Sequence, residues 1–253
     1  MHRFTLQIAA LVAAIVIPSA NSFGADAALF SGAVQQPGMH RGDDGGRLAA
    51  ALLAARPAPD AFLPATLFAR QGARLAQVRL KAGVLHDLQT LSEGGDDALR
   101  QLSERLARWI EDMPVTGRVP LLADPRLMQL QPRWNPPIQA GDSVRLFQRP
   151  ATIQVVGAVA EHCTLPHQPL RSALEYVKDC AATAFADADT VLVIQVDGTV
   201  QTLGAAAWNR ADPQPVSPGG VVLVPFATKY IRSVDAEFNA DLAALIATQA
   251  ATP

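Results

Sequence analysis

Arg118 is the residue whose setting most demands a chemical partner. It follows Thr116-Gly117 and precedes Val119-Pro120-Leu121, so a guanidinium stands at the start of an apolar, strand-like segment. A charge buried without a partner is costly. Arg118 therefore either pairs with an acid such as Asp124, or faces a cleft where it recognises a carboxylate on an acidic sugar or on a partner protein. Arg149, just before Pro150, has the same two readings. Trp134-Asn135 and Trp208-Asn209 each place an amide beside an aromatic face, a combination suited to sugar stacking, although Trp also fills cores. Asp124, Asp142 and Asp197 sit in turn-like settings, where turn hydrogen bonds compete with glycoside chemistry by paired carboxylates.

Recognised catalytic patterns are missing. The sequence has no Gly-x-Ser-x-Gly elbow, no His-Glu-x-x-His and no phosphate-cradling glycine loop. His40, His86, His162 and His167 lack ligand-like spacing. No catalytic residue, metal site or cofactor is expected, which favours a binding protein over an enzyme. Arg41-Gly42-Asp43 reads as a surface turn rather than an adhesion signal. Cys163 and Cys180 form an even pair, and in an oxidising compartment such a pair usually closes a disulfide worth about 3 kcal/mol. Metal binding with His162 or His167, and free thiols, are the alternatives.

The compartment follows from the N-terminus. Met1-His2-Arg3, an apolar run from Phe4 to Ile17 and small residues through Ala27 have the order of a cleavable signal peptide. Residues 1–24 are assigned to it, with cleavage within 22–27. The apolar run is shorter than the ~20 residues a bilayer-spanning helix needs. The formal net charge is −2 and the charged fraction 17%, with no basic stripe, so nucleic acid is excluded as a partner. The mature chain is expected to be soluble, periplasmic and not inserted in a membrane, with a monomer favoured.

The elements that position these residues come in two similar runs. Gly32-Ala33-Val34 and Gly157-Ala158-Val159 each close a strand-like segment and lead through a proline-containing loop to a helix, 46–55 in one run and 170–184 in the other. In the second run, strands are expected at 190–196, 199–203 and 221–226, with turns at Asp197-Gly198 and Pro218-Gly219-Gly220. Their counterparts in the first run are expected at 117–123 and 143–147. Between them, 57–113 has helical character. Leu75, Val78, Leu85, Leu88 and Leu91 form one apolar stripe, and Leu99, Leu102, Leu106, Trp109 and Ile110 another. Gly94-Gly95-Asp96-Asp97 breaks and caps between them. This reads as a helical hairpin inserted into the first roll of an α+β fold. Residues 233–248 form an amphipathic helix capped by Ser233, which packs on its own chain or contacts a partner.

Val115-Thr116-Gly117-Arg118, Asp124-Pro125, Asn135-Pro136-Pro137, Gly141-Asp142 and Arg149-Pro150 occur in that order. Gly157-Ala158-Val159, Asp197-Gly198, Trp208-Asn209 and Pro218-Gly219-Gly220 follow. This ordered set resembles the capsule biosynthesis GfcC/YjbG-like family over about residues 28–248. The resemblance implies two β-grasp (SLBB-like) domains, at 25–149 and 150–230. The first carries the hairpin at about 57–113, and a C-terminal amphipathic helix occupies 231–253. It further implies a periplasmic accessory protein for capsule or exopolysaccharide export or assembly. Such a protein would bind the polysaccharide or an outer-membrane polysaccharide export protein. A polysaccharide-modifying enzyme with a cleft around Arg118 is the alternative. The cysteine pair departs from the family pattern.

Overall fold

The computed structural model describes residues 27–42, 46–94, 96–232 and 234–249. The signal-peptide segment, Asp43 of the Arg-Gly-Asp tripeptide and the Ser233 cap lie outside the described residues. The first part of the chain supplies β1 (Ala27–Gly32), β2 (Gly38–Arg41), α1 (Leu48–Ala54), β3 (Leu67–Ala69), α2 (Arg74–Gly94) and α3 (Asp97–Glu111). Next come β4 (Arg118–Val119), α4 (Pro125–Leu130) and β5 (Ser143–Leu146). The remainder supplies β6 (Thr152–Gly157), β7 (Cys163–Pro166), α5 (Ala173–Lys178), β8 (Thr190–Ile194), β9 (Val200–Gly204) and β10 (Val221–Val224). Two helices, α6 (Thr228–Ile231) and α7 (Phe238–Ala247), end the described chain.

The strands make two five-stranded sheets of matching order, β2-β1-β5-β3-β4 and β7-β6-β10-β8-β9. In each, one central pair is parallel (β1 with β5, β6 with β10) and the other pairs are antiparallel. The Gly-Ala-Val echo has the same structural cause in both sheets. Gly32 and Gly157 take φ of +80° and +97°, where a side chain is strained. The following amides, of Ala33 and Ala158, then donate to the carbonyls of Leu146 and Val224 at 2.9 and 2.8 Å.

The two sheets differ in one connection. A tight turn joins β8 to β9, with Gln195 and Thr199 paired across it at 2.8 Å, whereas α2 and α3 fill the matching link between β3 and β4. Asp96 caps α3 by accepting from the Leu99 amide at 2.9 Å. The hairpin is therefore narrower than 57–113, because β3 already belongs to the first sheet. Leu75 and Val78 also leave the expected stripe and are exposed, while Leu88 and Leu91 are buried. The helix expected at 170–184 is cut to Ala173–Lys178: Leu170 has φ +65°, and Cys180 is tied to Cys163 by a disulfide.

The hairpin belongs to the first sheet in sequence and to the second in packing. Val84, Leu88, Leu102, Leu106 and Ile110 share one apolar core with Val156 and Leu223 of the second sheet. Phe238, Leu242 and Leu245 of α7 complete that core. Each such fully buried side chain stabilises by about 1.5–3 kcal/mol, so the apolar stripe of α7 is held by its own chain. A separate core under α1 and α4 gathers Phe30, Leu48, Leu52, Met128, Val144 and Leu146.

Candidate binding cleft between the sheets

The two-residue period of a strand decides what the first sheet offers. Phe30, Val144 and Leu146 point into the core under α1 and α4, so Leu29, Ser31, Ser143, Arg145 and Phe147 point the other way. They form one wall of an open cleft of about 850 Å³. Gln154, Ile194 and Val221 of the second sheet face them, with Gln195 just after β8, and Trp109, Met113 and Gln249 border the same space. Arg145 is exposed, its guanidinium 5.3 Å from the centroid of the Phe147 ring. Together these surfaces present rings, hydroxyls and amides, with the exposed Arg145 cation beside them. Such a surface can stack on and hydrogen-bond to a sugar.

Arg118 lines this cleft but is only 5% exposed. Its strand is the outermost of the first sheet and two residues long, shorter than the strand expected at 117–123. The guanidinium donates to the carbonyl of Val196 at 2.6 Å, to that of Ala247 at 3.4 Å and to that of Gln249. Arg118 thus joins three pieces of chain: β4, the turn after β8 and the C-terminal end of α7. Carbonyls at a helix C-terminus carry partial negative charge and favour a cation. Burial pushes the Arg118 pKa down to about 10, and the Asp197 carboxylate raises it in part. Its Nε has no partner among the described residues. The expected pairing with Asp124 is not formed. Asp124 instead caps α4, accepting from the amides of Arg126 and Leu127 at 2.9 and 3.1 Å.

The other residues singled out in the sequence do not converge on the cleft. Trp134 is half-buried against the core under α1 and α4, with the Arg133 guanidinium 5.1 Å from its ring. Asn135 serves α1: its Oδ1 accepts from the Ala49 amide and its carbonyl from Arg47, both at 2.9 Å. Arg149 is exposed and lies 5.1 Å from the Phe62 ring. Trp208 and Asn209 sit in the loop after β9, at the edge of the second sheet. Asp197 accepts from Thr199 N at 2.8 Å, the bland turn role. Asp142 does more than a turn requires. Its fully buried carboxylate takes two bonds from Arg70, at 2.8 and 3.1 Å, and one from the Gln139 amide.

Sequence reasoning missed Arg70, Arg145, Phe147 and Trp109. Arg145 and Phe147 had a readable signal: they alternate with Val144 and Leu146, so they belong to the face opposite the core. Arg70 and Trp109 had none, since their partners come from other segments.

His162 marks where the hairpin meets the second half. Its ring stands edge-on to Trp109, 4.7 Å between centroids, beside the Cys163–Cys180 disulfide. Burial, with a smaller contribution from Arg105, pushes its pKa down to about 4. The folded protein thus holds His162 neutral where the unfolded chain, with an ordinary pKa near 6.5, binds a proton. The contribution is complete above pH ~6.5 and falls away as pH drops towards 4, by roughly 2 kcal/mol after allowance for solvent screening. In thermal unfolding from pH 7.5 to 4.5, His162→Phe should keep the ring contact with Trp109 and flatten the decline.

Residues 161–251, from just before β7 through α7, match the sequence model of the family described as Capsule biosynthesis GfcC C-terminal. The chain resembles the GfcC/YjbG-like proteins. It is similar to the uncharacterized protein YjbG of Escherichia coli (strain K12), 26% identical over 185 residues. The likeness covers 72% of this chain and 74% of that protein. The stretch matched by the family model contains the disulfide and Trp208-Asn209, whereas Arg118 and the first sheet precede it. Among the described residues, no helix is long and apolar enough to cross a membrane, and no cluster of three His, Cys, Asp or Glu side chains is arranged to hold a metal.

Proposed function

We propose that this is a periplasmic accessory protein for capsule or exopolysaccharide export or assembly, holding the polysaccharide in the cleft between its two sheets. The observation that carries the reading is the open 850 Å³ cleft on a chain with a capsule-biosynthesis match. Each sheet with its covering helices is then a β-grasp (SLBB-like) unit, divided near 149/150. The matching strand order, with its single parallel central pair, supports this assignment. The tail from 231 works as an internal buttress through α7, and the exporter-facing surface lies elsewhere. Residues 1–24 act as the leader that delivers the chain to the periplasm.

Binding is favoured over cleavage by the cleft's own composition. Glycoside hydrolysis commonly uses two carboxyl groups, and among the described residues Asp112 is the one carboxylate in the cleft lining. Arg118, the centre of the alternative enzyme reading, has both terminal nitrogens committed to carbonyls.

The test is to incubate the purified mature protein with the native capsule polymer and follow binding and chain length together. Binding without shortening is expected. Arg145→Ala should weaken it about fivefold, the loss of one exposed cation worth about 1 kcal/mol. Shortened chains would overturn the reading in favour of a modifying enzyme. Failure to bind removes the polymer as the occupant of the cleft.

A further inference from the structure

We propose that Trp208 is a preorganised stacking platform for a neutral pyranose ring, a second polysaccharide contact at the β9 edge of the second sheet. It rests on the polymer-binding reading above, yet uses none of the cleft residues. Trp208 is 77% exposed, which forfeits most of the gain from burying an indole. An aromatic exposed to that degree is usually free to move, but this one is held. Its Nε1 donates to Asp189 Oδ1 at 3.3 Å. The next residue locks the loop: Asn209 Nδ2 donates to the Asp189 carbonyl at 2.9 Å, and Asn209 Oδ1 accepts from the Ala206 amide at 3.0 Å. The loop is also pressed onto β9, since a Cβ on Gly204 would lie 1.8 Å from the Asn209 carbonyl oxygen.

The chemistry selects the ligand. A fixed indole face matches the C–H face of a pyranose, and its fixed geometry lowers the entropy lost on binding. The Trp208 bond uses Asp189 Oδ1, so Oδ2 of the same carboxylate can accept from a sugar hydroxyl. Asp187 lies in the same turn, its Oδ1 taken by the amides of Asp189 and Thr190 at 2.7 and 3.0 Å. The Asp189 carboxylate beside the ring, with Asp187 in the same turn, repels a uronic acid, so the sugar is uncharged. Arg210, the nearest cation in sequence, lines a separate 330 Å³ pocket with Lys178, Glu175 and Asp212.

The test titrates the mature protein with the native polymer, cellohexaose and alginate, following tryptophan fluorescence and calorimetry. Wild type, Trp208→Ala, Trp208→Phe and Arg145→Ala are compared. Trp208→Ala is expected to fold normally, as its unchanged Tm will report, to lose the fluorescence response and to bind native polymer and cellohexaose about tenfold more weakly. Trp208→Phe should keep most of the affinity, and alginate should bind least. Wild-type affinity in Trp208→Ala, with binding weakened in Arg145→Ala, sinks the platform and leaves the cleft reading standing. If no glycan binds the wild type, both readings fall together. Equal binding of alginate and cellohexaose, both dependent on Trp208, overturns the restriction to neutral sugars.

Discussion

Arg118→Ala is expected to destabilise the protein by about 3 kcal/mol in urea unfolding, and to loosen α7 before the rest. The change strands the carbonyls of Val196, Ala247 and Gln249, which the guanidinium now serves. Hydrogen bonds from a charged donor contribute ~1.5–3 kcal/mol each. Taking the cation out of water offsets much of that, which is what the depressed pKa records. Arg118→Lys should recover only part, because one ammonium on a flexible stem cannot reproduce a planar fork serving three carbonyls. Hydrogen exchange at the end of α7 provides the local readout. Normal stability combined with lost polymer binding would refute the clasp and restore Arg118 to the role of a ligand-binding group.

Gly157→Ala should cost at least as much, about 3–4 kcal/mol, and should damage the second sheet at its centre. At φ +97° a Cβ would lie 2.3 Å from the Val224 carbonyl oxygen, so β6 and β10 must part where they pair. Left-handed backbone alone costs a non-glycine residue about 1–2 kcal/mol. The overlap with a backbone atom adds to that, since no side chain can move aside. Gly38→Ala separates the two effects. Gly38 has φ +127° but nothing within 4 Å of the added methyl, so only the backbone cost should appear. Equal losses in the two variants would mean that contact with Val224 is unimportant.

The Gly-Ala-Val echo shows how far local reading reaches. It located two equivalent strand ends and, through them, a duplicated α+β plan. The turns at Asp197-Gly198 and Pro218-Gly219-Gly220 and the Asp96 cap of α3 were legible for the same reason: turn and cap chemistry is written in adjacent residues. The short strands were not. β3 and β4 have three and two residues, too few to display a period. Their strand character comes from pairing with β5 and with each other, over separations that no local pattern records.

The candidate site divides in the same way. Sequence marked Arg118 as a charge that needed partners, and that need is met. It pointed to an acid, because acids are the partners a sequence can display. The partners are instead backbone carbonyls from two remote segments, and every residue has a carbonyl. Trp134 and Trp208 looked alike, each followed by Asn. One is packed against a core and the other stands exposed on a braced loop.

By itself, then, the sequence determined the duplicated strand-and-turn plan, the hairpin and the cysteine pair, all carried by composition, periodicity and short-range turn chemistry. Only the tertiary structure decided that the hairpin packs on the second sheet, that α7 buries its stripe, and that a cleft opens between two strand faces. Those outcomes depend on which apolar faces meet and which polar groups are left to satisfy one another, and both are properties of the assembled chain.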